Sequence, residues 1–296
     1  MQVSAVVSAL KAAVGRSWQD AEWDGLQAGS LDADVTGVAV AWSPSLEVLK
    51  KAADAGCNLL MTKAPLYWWE SEPRGSTDSA LSRLLEGTTG ATPFTAIEAT
   101  PVYRQKRNIV TERKLNVVRV SQNWNGPNAV PLRGMMDVLG WKQQEAVIAD
   151  PVVAPHARTA IVSLPAMSLA RVAQQAKDRL GARSVRVLGD GSASISRVAV
   201  HPGYLTISAM RGVLAARGID AVLTGEACEW EAFPYAEDWI DAGRGKGFVM
   251  LGLAVTSDAA ARAFADVVRA AVQPMRVQFL GVGDPFTAVH AGGVRA

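Results

Sequence analysis

VTGVAVAWSPSLEVLKKAADAGCNLLMTKAP, residues 35–65, is the stretch whose reading decides the fold. Val35–Trp42 is an apolar run with the character of a strand. Ser43-Pro44 reads as the cap and first turn of a helix, which then runs over about Ser45–Ala55 and stops at Gly56. Cys57–Thr62 is the next strand. Strand, helix and strand with short joints make a βαβ unit, and its parallel strands need cover on both faces. The second strand opens at Lys63-Ala64-Pro65 onto a loop, and strand ends of this kind are where α/β proteins place active groups.

The same grammar extends in both directions. Upstream, Val3, Val6, Val7, Leu10 and Val14 have helix spacing, with Ser4 as the expected cap, and Trp18–Asp34 is rich in turn residues. Downstream, residues 70–100 are rich in Gly, Ser, Thr and Pro, with a short helix expected over Thr77–Leu85. Helices are expected over Pro101–Arg113 and Pro131–Leu139, strands over Asn116–Val120 and Arg158–Ser163, and a domain-junction turn at Pro151–Pro155. The second half gives helices at Ser168–Leu180, Thr206–Arg217 and Ser257–Ala271. Its strands fall at Ser184–Val187, Ile195–Val200, Ala221–Thr224, Phe248–Leu251 and Met275–Phe279. The recurring rhythm implies two α/β layers.

Bulk properties exclude several classes. A chain of 296 residues holds one large or two modest domains. With 49% apolar and 20% charged residues it has a globular composition. A net charge of +2 gives no electrostatic case for nucleic acid, and no apolar run is long enough for a membrane span. The first residues show no signal-peptide pattern, and Cys57 and Cys228 read as buried free thiols, so the expected location is cytoplasmic.

Several motifs occur in a telling order: Trp23-Asp24-Gly25-Leu26-Gln27-Ala28-Gly29, the βαβ unit ending at Pro65, Tyr103-Arg104-Gln105-Lys106-Arg107, Asp220-Ala221-Val222-Leu223-Thr224-Gly225-Glu226, and Gly283-Asp284-Pro285-Phe286. Together they resemble the Nif3-like family, two-domain proteins with a dinuclear metal centre, some of them labelled GTP cyclohydrolase 1 type 2 homologues. The resemblance implies an α/β fold of two domains, each a mixed sheet flanked by helices: a discontinuous outer domain over 1–145 and 240–296, with a second inserted at 150–239. It also implies a homo-oligomer, with a hexamer favoured.

The resemblance also shows what is missing. Metal-binding members carry histidine, or histidine with an acid, where this chain has Lys63 and Ala64. A lysine ammonium has its lone pair protonated, and alanine has no donor. In Val118-Arg119-Val120-Ser121-Gln122-Asn123-Trp124-Asn125, Ser121, Asn123 and Asn125 stand where imidazoles or an acid would be. They can hydrogen-bond a ligand but are weak partners for a transition metal. Leu253 and Ser257 replace the late histidine and acid, and Asp258 is displaced by one position, about 100 degrees around a helix. It reads as a first-turn acid. His156, His201 and His290 match no metal spacing and read as surface or turn residues.

No metal and no cofactor are therefore expected. Thr224-Gly225-Glu226-Ala227-Cys228-Glu229 is the best preserved segment, with Glu226 at a strand end and Glu229 expected on its helical face. The expected role is a small-molecule-binding or structural subunit. Lys63 supplies positive charge, and Trp68, Ser121, Asn123, Trp124, Asn125 and Glu229 line a pocket. A hetero-oligomer with a metal-binding relative fits the same reading. The alternative is a Nif3-like hydrolase or other enzyme, either metal-dependent or rebuilt on Lys63 for charge stabilisation and Glu226 for proton transfer. Against the site reading stand plain ones: Lys63 solvated at a strand end, Glu226 paired with a cation, and the tryptophans as core.

Overall fold

The computed structural model describes residues 1–15, 18, 20–21, 24–67, 100–124, 130–141, 144–149, 158–216, 218–290 and 293–294. The expectations for Trp23, Trp68, Thr77–Leu85, Asn125, Pro151–Pro155 and His156 fall outside these residues. In chain order the first elements are α1 (Val3–Val14), β1 (Gly25–Ala28), β2 (Val38–Ala41), α2 (Leu46–Asp54), β3 (Leu59–Thr62), α3 (Pro101–Glu112), β4 (Asn116–Arg119) and the single turn α4 (Ser121–Trp124). Next come α5 (Val130–Leu139), β5 (Gln144–Ala149), β6 (Arg158–Ser168), α6 (Leu169–Leu180), β7 (Arg186–Gly189), β8 (Ser194–Leu205), α7 (Ile207–Ala215) and β9 (Ala221–Ala227). The chain continues through α8 (Glu229–Asp241), β10 (Gly247–Met250), α9 (Leu253–Ala271), β11 (Val277–Phe279), β12 (Val289–His290) and β13 (Gly293–Val294).

These elements fall into two compact units, Met1–Trp124 with Ala265–Leu280, and Asn125–Phe264 with Gly281–Ala296. Each is a mixed sheet flanked by helices. The first unit has strand order β1-β4-β3-β2-β11, with β1 antiparallel to β4 and the other pairs parallel. The expected βαβ unit is there as β2-α2-β3, and both strands are buried throughout, as parallel strands must be. The second unit has order β5-β6-β8-β9-β10-β7, with β8, β9 and β10 parallel. Alternation along these strands sends Val198, Val200, Ala221 and Leu223 to one side, against Leu132, Met135 and Val172 of α5 and α6. Ala199, Val222 and Phe248 go to the other side, against Met210, Val213 and Trp239 of α7 and α8.

Several local expectations are corrected. Ser4 lies inside α1, whose cap is Gln2 with no side-chain bond. The cap of α2 is Ser45, whose hydroxyl accepts from Val48 N, not Ser43-Pro44. The turn-rich stretch before Asp34 contains β1, held by pairing with β4 rather than by its own propensity. Helix α8 runs through Pro234, a residue that argues against a helix when read locally.

Candidate functional site

In the first unit the strand registers align the site. Ala41, Thr62 and Arg119 are level across β2, β3 and β4, so the chain leaves these strands along one edge, at Trp42, Lys63 and Val120. β1 runs the other way, with Gly25 opposite Arg119, which brings Asp24 to the same edge. Arg119 is only 3% exposed, and its Nε donates to the Lys63 carbonyl at 3.0 Å and lies 3.8 Å from Asp24 Oδ1. That carboxylate oxygen also accepts from Ser121 N at 2.8 Å. Thr62 Oγ1 donates to the Ala64 carbonyl at 2.9 Å, and Ala64 N donates to the Trp42 carbonyl at 2.7 Å. The backbone around Lys63 is thereby fixed, while its side chain is half-buried. Ser121 is half-buried, and Asn123 and Trp124 are buried. Trp42 Nε1 is buried with no partner among the described residues.

The loop after Lys63 rests on α3. Lys106 Nζ donates to the Leu66 carbonyl, and the Tyr67 and Tyr103 rings lie 4.3 Å apart, centroid to centroid. Burial pulls the Lys106 ammonium down to about 8.

In the second unit His201 and Thr224 are level across β8 and β9, and β8 is bulged between His201 and Tyr204. Gly203 N donates to Thr256 Oγ1 at 3.2 Å. Gly225 sits against this bulge: a Cβ there would lie 2.2 Å from Thr256 Oγ1 and 2.7 Å from the Gly203 carbonyl. His201 is buried, with Nδ1 2.9 Å from Thr159 Oγ1 and Nε2 3.2 Å from the Tyr204 carbonyl, which corrects its assignment to a turn or surface.

Glu226 is exposed on β9 opposite Tyr204, whereas Glu229 is the first residue of α8. The expected common helical face is absent, because the chain is still a strand at Glu226. Glu229 pairs with Arg186 of β7, both exposed. Burial, and then Cys228, Glu226 and Glu231, push the Tyr204 hydroxyl up. Cys228 is half-buried at the N-cap of α8, not in the core, while Cys57 is buried.

At the start of α9, Leu253 is half-buried and Ser257 buried. Asp258 lies beyond the first turn, and its Oδ2 accepts from Gly283 N at 2.7 Å. Burial pushes its carboxyl up, against the Gly283 and Val282 amides and Arg262. Its Oδ1 is buried with no partner among the described residues.

This donor set does not fit a dinuclear centre. Lys63 is protonated, Ala64 and Leu253 offer no donor, and Ser121, Asn123 and Ser257 are neutral oxygen or amide groups. Asp258 is one carboxylate, already engaged through Oδ2. Among the described residues no three His, Cys, Asp or Glu side chains gather to hold a metal ion.

Residues 1–89 and 120–242 match the family described as Duf34/NIF3 (NGG1p interacting factor 3). The chain belongs to the Duf34/NIF3 family. This Duf34/NIF3 member is also similar in structure to a hypothetical protein of Staphylococcus aureus, SA1388, at TM-score 0.69 and 19% identity over 98% of this chain and 99% of that one. A Bacillus cereus protein related to NIF3 gives 0.68 and 13% over 98% and 99%, and reduced HcgD from Methanocaldococcus jannaschii gives 0.65 and 18% over 95% and 98%. At these identities the likeness is one of fold. No curated protein matches the chain.

Two members of the first-unit cluster, Asp24 and Arg119, were not read from the sequence as site residues. The signal was present: Arg119 interrupts an apolar strand, and a charge in a buried strand requires a carboxylate or carbonyl partner.

Proposed function

We propose that this Duf34/NIF3 member works without the dinuclear metal of its relatives, as a small-molecule-binding or structural subunit of a homo-oligomer, with a hexamer favoured. One observation carries the reading: the family's ligand positions hold Lys63, Ala64, Ser121, Asn123, Asn125, Leu253 and Ser257. In this reading Lys63 and Glu226 are the charged groups that act on the ligand. The ligand is planar and carries an anionic group, which the lysine meets. The hydrogen bonds around Lys63 support this, since they fix the point at which its side chain leaves β3.

The test begins with elemental analysis of protein purified without chelator. Zinc, iron and manganese are each expected well below one per chain, and two tightly held metals at these segments would overturn the reading. Aromatic carboxylates and aryl phosphates are then screened by thermal shift. Lys63→Ala should weaken the best binder by about tenfold or more while leaving the melting temperature of the free protein nearly unchanged. Glu226→Gln should alter affinity alone. Loss of a measurable turnover in that variant would favour the enzyme rebuilt on Lys63 and Glu226 instead.

A further inference from the structure

Trp230, the second residue of α8, is 81% exposed, far from the usual state of a tryptophan. It does not stand alone. The outward face of α8 carries Trp230, Glu231, Pro234, Tyr235, Glu237 and Asp238, and α8 contains no basic residue. Tyr204, at 46% exposure, adjoins this face, since Glu226 and Glu231 act on its hydroxyl. The second unit thus presents an acidic surface with protruding aromatic rings.

The first unit has a surface of opposite character. A groove of about 490 Å³ between α2 and α3 is lined by Lys50, Pro101, Arg104, Gln105, Asn108 and Ile109, with Glu112 at one side. Lys50 and Arg104 are exposed cations on the groove against the single acid Glu112, and Arg113 beyond it is paired with Asp54, so the groove itself carries a small excess of positive charge. Val102, half-exposed, adds apolar surface at the start of the helix. The volume of the groove leaves room for an indole ring, and Arg104 beside it is the residue type that stacks on one.

We propose that these two faces are partners: Trp230 of one copy of this chain seats in the α2–α3 groove of a second copy. Glu231 and its neighbouring acids then face Arg104 and Lys50. The contact is heterologous, joining different surfaces on the two copies, so repetition gives a closed ring or an open filament. Tryptophan and arginine at its centre are the residues that most often carry the affinity of an interface. The inference rests on the reading of the chain as a subunit of an assembly and names the surfaces that join.

Sedimentation velocity on the full-length chain tests it, at low and high salt, with melting temperature as a check on folding. The wild-type assembly is expected to weaken in high salt. Trp230→Ala and Arg104→Glu, on opposite sides of the contact and in different units, should each weaken association by about tenfold or more. The double variant Glu231→Arg with Arg104→Glu should recover much of the loss from Arg104→Glu alone. A wild-type monomer would overturn both this inference and the subunit reading. An assembly that survives both single variants would overturn the inference and leave the subunit reading standing. An assembly sensitive to Trp230→Ala but not to Arg104→Glu would show that the tryptophan face takes another occupant, and would overturn the pairing.

Discussion

Lys106 is 2% exposed, and the fold holds its proton less firmly than the unfolded chain does, at about 8 against 10.5. The charged form is therefore penalised in full below pH 8, and the penalty fades as pH rises from 8 toward 10.5. That difference corresponds to about 3 kcal/mol, of which the bond to the Leu66 carbonyl returns a part. Lys106→Met should then stabilise the protein by about 1–2 kcal/mol at pH 7, with the gain shrinking toward pH 10. Urea unfolding of both proteins at the two pH values checks this. A variant less stable than wild type at pH 7 would mean that the carbonyl bond outweighs the burial of charge. Nothing in Tyr103-Arg104-Gln105-Lys106-Arg107 marks one cation for the interior. Its burial is decided by how the helix face meets the loop after Pro65, which is a tertiary fact.

Among the elements, the parallel strands of the second unit are tied together at their starts by Asp220. Its carboxylate accepts from Lys246 Nζ at 2.8 Å, Ser196 N at 2.8 Å and Arg197 N at 3.0 Å, linking β8 to the residues before β9 and β10. Burial alone would push this acid up, but the bonds from Lys246, Ser196 and Arg197 outweigh it and hold it at about 2. A carboxyl depressed from 3.8 contributes stability that is fully present above 3.8 and is lost as pH falls toward 2. Asp220→Ala should cost about 2 kcal/mol at pH 7, and its difference from wild type should narrow through that acid window in denaturant titrations. An equal cost at pH 7 and at pH 2.5 would refute the linkage. Elements with strong periodicity, such as α1, α6 and the β2-α2-β3 unit, were legible in the sequence, since local pattern and burial agree there. The strand β1 and the helix α8 were not: β1 exists because β4 offers it an edge, and α8 forms despite Pro234. The candidate site was legible as positions but not as contacts. Lys63 and Ser121 were picked out, whereas the Asp24–Arg119 pair behind them depends on strand register.

At the scale of the molecule, no described helix is long and apolar enough to cross a membrane, and the fold of two helix-flanked sheets is shared with relatives at 13–19% identity. The proposed hexamer predicts a mass of six 31.3 kDa subunits in light scattering, unchanged on dilution across the micromolar range. A strictly monomeric species at tens of micromolar would contradict it. Gly225 has a further bearing on how such a chain is recognised. Thr256 of α9, the Gly203 carbonyl in the bulge of β8 and the Gly252 carbonyl press on it, leaving no space for a side chain whatever chemistry the strand end performs. The Thr-Gly-Glu signature can therefore outlive the chemistry it once accompanied. It is a keystone of masonry, kept by the weight of the arch, and its presence in a sequence testifies to ancestry and shape rather than to catalysis.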